Sequence, residues 1–236
     1  MRSPIKTMRR IFLLLTLTAP IKSSAQIAVI DTTFLLKEYN DGVLHSIFIE
    51  SDRNSRYYNY ISDYSFDEFD GASFNESLDY LKSHQLELQN VSIEDIPRKW
   101  IILNQYKGEF YAYKPSDFYF HYKVSITDSA YVDFSGEGPS ASKILSFQKM
   151  GNNTFQFTLE GMYSHGRELL IHMIDKKAGV AVFEDSSTER EKIYYLMVDA
   201  DKIRDFPLIV NYCESQKHHE FDFDKPDFLK LIRQKH

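Results

Sequence analysis

The sequence predicts a mainly β protein with flanking helices: an antiparallel barrel-like or strongly curved sheet of about nine strands, with a helix at the C-terminus. Three observations carry this. Aromatic residues make up 15% of the 236, with 16 Tyr and 18 Phe against one Trp, a bias toward the half-buried pleated surface of strands. Apolar residues alternate with period two along Phe118–Ile126, through Phe118, Phe120, Tyr122, Val124 and Ile126, and along Thr154–Glu160, through Phe155, Phe157 and Leu159. From about Phe110 onward, strand patterns follow one another at turn-sized gaps with no helix-length pattern between them.

Taken from the N-terminus, residues 1–25 have the form of a secretory signal peptide. Arg2, Lys6, Arg9 and Arg10 precede a short apolar run at 11–19, and Ser23 and Ala25 stand at the −3 and −1 positions of a cleavage site before Gln26. The run is about nine residues, well short of the ~20 that cross a bilayer as a helix, and no later stretch is long enough to span. The expectation is an exported protein, periplasmic or extracellular. Cys213 is the sole cysteine. It allows no internal disulfide, and no cysteine follows the apolar core to carry a lipid anchor, so a hydrophobic core must hold the fold.

Charge narrows the partners. Residues 1–25 hold five basic and no acidic residues, so the mature chain keeps 23 basic against 34 acidic, a net charge of −11. Residues 26–99 carry 14 acidic and six basic residues. Binding along a phosphate backbone needs clustered Lys and Arg, and none occurs, so nucleic acid and anionic membranes are poor partners.

Residues 26–99 read as a mixed α/β lead-in packed on the β domain. Strands are expected at Ile27–Val29 and Val43–Ile49. A helix starts at Ser73, an N-cap with Glu76 three residues on, and lines up Phe74, Leu78, Leu81 and Leu88. Asp67-Glu68-Phe69-Asp70-Gly71 fails the EF-hand spacing, because position 12 falls on Ser77, and reads as an acidic turn before that cap.

Residues 100–236 form the β domain. Strands are expected at Phe110–Tyr113, Phe118–Ile126, Ala130–Ser135, Lys143–Met150, Thr154–Glu160, Arg167–Asp175, Val180–Glu184, Lys192–Asp199 and Leu208–Cys213. Gly151-Asn152-Asn153 and Lys176-Lys177-Ala178-Gly179 supply hairpin turns that tolerate positive φ. Leu169–Ile174 and Ile193–Val198 are apolar on both faces, so a second layer must cover the sheet. Two covers are available: the Ser73 helix, and a C-terminal helix capped by Asp224 whose stripe is Phe228, Leu229, Leu231 and Ile232.

Trp100-Ile-Ile-Leu-Asn-Gln-Tyr-Lys-Gly-Glu-Phe-Tyr-Ala-Tyr113 resembles the opening of lipocalin-like (calycin) barrels, with the strand series and final helix extending the likeness over about residues 100–236. Gly108-Glu109-Phe110 stands where those families carry Gly-x-Trp, and the one Trp, Trp100, lies eight residues before Gly108. The resemblance implies about eight antiparallel strands around a cavity for a small apolar ligand. It carries over no binding residue.

The chemistry-bearing residues point to binding rather than turnover. No Gly-x-Ser-x-Gly elbow or Cys/His signature occurs. In an extended His218–Asp224 segment, His218, Glu220, Asp222 and Asp224 share a face with donor types that suit a transition metal. The same alternation sends Phe221 and Phe223 inward and leaves Asp224 as a cap, so no metal or other cofactor is expected. Ser135-Gly136-Glu137-Gly138-Pro139-Ser140 is a plain connection that would border the mouth of a barrel. Cys213 reads as a structural thiol, His172 as a hydrogen-bonded core residue and His165 as an exposed loop residue. Tyr57, Tyr58, Tyr60 and Tyr64, in a stretch interleaved with Arg53, Arg56, Asp63 and Asp67, form the candidate binding surface, suited to a glycan or a protein partner. The reading is an exported, soluble, non-catalytic protein that binds an apolar small molecule or an envelope partner. The alternatives are an envelope hydrolase acting on a glycan or ester, and a structural or assembly subunit.

Overall fold

The computed structural model describes residues 32–40, 42–163, 165–187, 190–213 and 218–234. The signal-peptide reading of residues 1–25 and the strand expected at Ile27–Val29 lie outside the described residues. In chain order the elements are β1 (Thr33–Asn40), β2 (Val43–Glu50), α1 (Arg56–Ile61), α2 (Glu68–Ser83), β3 (Lys99–Tyr106), β4 (Glu109–Lys114), β5 (Lys123–Ile126), β6 (Ala130–Ser135), β7 (Gly138–Lys149), β8 (Thr154–Gly161), β9 (Arg167–Asp175), β10 (Val180–Ser187), β11 (Arg190–Asp199), β12 (Leu208–Cys213) and α3 (Phe228–Arg233).

β5 to β11 run as an antiparallel meander, and β3 bridges its two ends. It pairs with β11 through Leu103↔Leu196 and with β5 through Trp100↔Val124. The result is a closed eight-stranded antiparallel barrel, which leaves no free edge among those strands. Past the barrel, β3 turns into β4, β12 lies parallel to β4, and β2 and β1 extend the sheet. The β2–β12 pairing joins the acidic lead-in and the C-terminal part in one sheet.

Period-two patterning sends one row of each strand into the lumen. Trp100, Val124, Tyr131, Ile144, Phe155, Phe157, Leu169, Ile171, Phe183 and Met197 fill it, and Trp100, Phe157 and Phe183 are wholly buried. In β7 the pairing shifts between Ile144 and Ser146, so Leu145 bulges out and Phe147 returns to the inner side. One end of the barrel is plugged by the segment before β3. Ile93 and Ile96 enter the core, Val91 N–H donates to Asp128 O (2.7 Å), and the Trp100 indole donates to Pro97 O (2.8 Å).

The outer faces of β3, β10 and β11 are apolar too, through Ile101, Leu103, Val180, Val182, Leu196 and Val198. Tyr58 and Ile61 of α1, Ile203 of a short 3-10 helix, and Phe228, Leu231 and Ile232 of α3 cover them. The C-terminal helix is therefore a cover as expected, while α1 is a cover the sequence pattern did not reveal. α2 is the other expected cover, with Phe74 packed on Ala130, Val132 and Phe134 of β6, and it has a further task. β8 pairs with β7 only from Ser142 onward, so the Ala141 N–H has no strand partner there and donates to Ser77 Oγ of α2 instead (2.9 Å). Ser77→Ala is expected to lower stability by about 1–2 kcal/mol, the cost of a buried N–H left unsatisfied, read from urea denaturation midpoints.

Local chemistry moved several boundaries. The N-cap of α2 lies six residues before Ser73: Asp67 caps it by accepting from Asp70 N–H (2.8 Å), and Glu68 and Asp70 favour the positive end of the helix. The acidic stretch is thus the helix's first turn, and Ser73, now internal, donates to Glu137 O (2.9 Å). α3 starts from Asp227 rather than Asp224, which instead bridges to Gln105. The strand expected over Phe118–Ile126 shrinks to Lys123–Ile126. Phe118–Phe120 coil into a 3-10 turn in which Asp117 accepts from Tyr119 N–H (3.0 Å), and this side-chain bond outcompetes the alternating pattern. The described residues hold twelve strands: the nine expected over 100–236, β2 as expected at Val43–Ile49, and β1 and β3, which the pattern did not indicate.

His121 sits beneath α1, where its Nε2–H donates to Ile61 O (3.1 Å). Burial, aided by the neighbouring Lys123 ammonium, lowers its pKa to about 4. The unfolded chain takes up this proton near pH 6.5 and the folded chain only near 4. Stability is therefore full above pH 6.5 and falls as pH drops toward 4, by about 3 kcal/mol. His121→Gln should flatten that part of the stability–pH curve, and an unchanged curve would refute the assignment.

Candidate functional site

The open end of the barrel is polar. Three lumen rows change character as they reach it: Tyr131 gives way to Asp133 and Ser135 on β6, Leu169 to Arg167 on β9, and Phe183 to Asp185 on β10. With Ser140 and Ser142 of β7, Tyr195 of β11, and Tyr122 just before β5, they line a cavity of about 290 Å3. Glu137 and Gly138 of the β6–β7 turn, and Tyr163 of the β8–β9 turn, form its rim.

Arg167 organises this mouth. Its Nε and one terminal nitrogen grip Asp185 (3.0 and 2.8 Å), and both terminal nitrogens reach Asp133 (2.6 and 3.1 Å). Arg167 and Asp185 are buried and Asp133 nearly so. Burial works against the guanidinium's charge, but Asp133 leads the groups that outweigh it and hold Arg167 firmly protonated. The Tyr122 hydroxyl donates to Asp133 (2.6 Å), and its ring stacks on Tyr195 at 4.9 Å between centroids. Burial, then Asp133, pushes the Tyr122 hydroxyl well above its usual range, so it remains a donor. Three carboxylates against one guanidinium leave the lining net negative. The arrangement offers fixed hydroxyl donors and carboxylate acceptors beside aromatic faces, with both strand carboxylates already engaged by Arg167.

The tyrosines singled out by sequence are spread rather than convergent. Tyr58 is wholly buried, donates to Phe206 O (2.7 Å) and accepts from Arg53 (2.7 Å). Tyr64 donates to Trp100 O (2.8 Å), and burial holds its hydroxyl far above the ordinary value. Tyr57 packs edge-on against Phe48 at 5.9 Å. Tyr60 is exposed and faces a second cleft, lined also by Asp63, Phe66, Asp67, Phe69 and Asp70.

The His218–Asp224 segment does not gather its donors. Glu220 is taken up by the Tyr113 hydroxyl, by Ser116 Oγ (2.9 Å) and by Asp117 N–H (2.8 Å), while Asp224 accepts from Gly108 N–H (3.3 Å). Phe221 and Phe223 pack against Tyr106 and Tyr113. His218 instead stacks on His45 at 4.1 Å, and with Glu38 the three place potential ligand atoms within 4.8 Å of one another. Both nitrogens of His45 already face partners, Glu38 Oε1 (3.0 Å) and Asn211 Oδ1 (2.9 Å), so a metal would have to displace one of them. Cys213 is half-buried at the end of β12. His172 lies on the outer face of β9 beside Thr154 and Glu184, and His165 bonds Glu160 (2.8 Å) and Tyr80 (3.2 Å).

Sequence reasoning located part of the mouth through the 135–140 connection but missed Arg167, Asp133 and Asp185. The available signal was a charged residue on the inward row of each of three strands. Comparisons with protein-family models, with curated proteins and with solved structures return no match.

Proposed function

We propose that this chain is an exported, non-catalytic binding protein that holds an uncharged saccharide unit at the barrel mouth. The observation that carries the reading is the division of the lumen. Large side chains fill its apolar part, so the expected apolar ligand has no room there, and the cavity that remains is lined by hydroxyls, carboxylates and tyrosine rings. Sugars meet proteins through such directional polar contacts beside ring faces. The net negative lining disfavours uronates and phosphorylated ligands. Engagement of Asp133 and Asp185 by Arg167 favours binding over hydrolysis, since neither carboxylate stands free as a proton donor. The likeness to lipocalin-like barrels implies an apolar ligand in the lumen, which the filled interior does not favour, while the N-terminal segment fits export.

The test is an array of neutral and acidic glycans probed with the mature protein, followed by calorimetry. Neutral glycans are expected to bind, and Tyr163→Ala, on the exposed rim, to weaken binding roughly tenfold with an unchanged melting curve. Binding confined to acidic glycans, or none at all, would overturn the reading, and cleavage products would move it to the hydrolase class. Export is checked by the mature N-terminus, expected at Gln26; a full-length cytosolic protein would refute it.

A further inference from the structure

The β6–β7 turn separates two depressions. Glu137 and Gly138 face the mouth, and Gly136 and Gly138 also border the second cleft, a space of about 370 Å3. Both glycines are needed where they stand. A side chain on Gly138 (φ +90°) would meet Ser73 at 2.8 Å and Phe69 at 3.3 Å, and one on Gly136 would overlap Tyr119. The rings of Phe69 and Tyr119 therefore lie directly against the hairpin backbone, on the side away from the mouth.

These rings are not core. Among the described residues, four of the 13 exposed large hydrophobic side chains, Tyr60, Phe66, Phe69 and Tyr119, lie around this one turn, with Phe69 61% exposed, and a fifth, Phe120, packs edge-on against Tyr119. Such a concentration, rimmed by polar groups, marks a binding surface rather than scattered surface apolarity. The polar groups between the rings are Asp63, Asp67 and Asp70, with Lys123 facing them. Burial lowers the pKa of Lys123, whose ammonium is spent on Asp63 O. The shelf thus has the same character as the mouth: aromatic faces, acceptor oxygens and net negative charge.

We infer that the mouth and this shelf are one continuous groove for a neutral oligosaccharide, with one unit in the mouth and the following units crossing the β6–β7 turn to stack on Tyr119 and Phe69. This rests on the proposed saccharide reading of the mouth. The hairpin to be crossed is two strands wide, about 5 Å between backbones, so an extended chain reaches the shelf within a few units.

The experiment is calorimetry with two neutral ladders of one to six units, β-1,4-linked glucose and β-1,4-linked N-acetylglucosamine. It uses the mature protein, Phe69→Ala, Tyr119→Ala and the double variant. Affinity is expected to rise about tenfold or more from monomer to the longer oligomers. The double variant should lose that gain and keep the monomer's affinity and the parent melting curve. Equal affinity along a ladder, or a double variant that binds long oligomers as tightly as the parent, overturns the extended groove and leaves the mouth site standing. Failure of both ladders to bind the parent overturns the extended groove, and the mouth reading falls with it only where the neutral glycan array is negative as well.

Discussion

Replacing Arg167 with methionine is expected to destabilise the barrel by about 3–5 kcal/mol, because it strands two low-solvent carboxylates without their cation. The guanidinium holds Asp133 and Asp185 from strands that lie on opposite sides of β9 in the meander, and it satisfies both with charge-assisted bonds of 2.6–3.1 Å. Methionine keeps the stem and its packing, so the loss reports the charge. Urea denaturation measures it. The triple variant Arg167→Met/Asp133→Asn/Asp185→Asn should recover most of the loss, since amides left in the mouth carry no uncompensated charge. A loss below about 1 kcal/mol for Arg167→Met alone would mean that water reaches the carboxylates, as for an exposed pair.

Trp100→Ala should cost about 3–5 kcal/mol by emptying the largest side-chain volume in the lumen. Trp100 is wholly buried at the plugged end and meets Phe183 edge-on at 5.1 Å. The void would be walled by apolar side chains and stay dry, so indole added in solution should restore part of the lost melting temperature. That rescue would show that an apolar ligand enters this barrel only where a side chain has been removed. Binding of apolar probes to the unmodified protein within the lumen would contradict the packed interior.

The β architecture was legible before the structure because it rests on local patterning. The turns at Gly151 and Gly179 have positive φ, as their residues suggested, and Leu208–Cys213 forms the strand its composition indicated. Errors arose where a short polar side chain competes for backbone groups: Asp67 against Ser73 as the helix cap, Asp227 against Asp224, and Asp117 against the alternation of Phe118–Ile126. These contests are decided by single hydrogen bonds, which period-counting does not weigh.

The candidate site divides along the same line. The chain's order places Arg167 on the row of Leu169 and Ile171, Asp185 on that of Ala181 and Phe183, and Asp133 on that of Tyr131. Ala130, Val132 and Phe134 make the other row of β6 the more apolar, and β9 and β10 are apolar on both, so it does not determine which row faces inward. Nor does it determine which rows face one another. That depends on closure of β3 onto β5 and β11, a pairing of residues more than 20 apart on one side and more than 90 on the other. Closure brings one guanidinium between two carboxylates, and it sets the acidic lead-in beside the β6–β7 turn. The sequence by itself determined the strand rows and the residues on them. Only the tertiary structure decided the mouth, because strand adjacency is set by burial of the whole lumen, a free energy no local window contains.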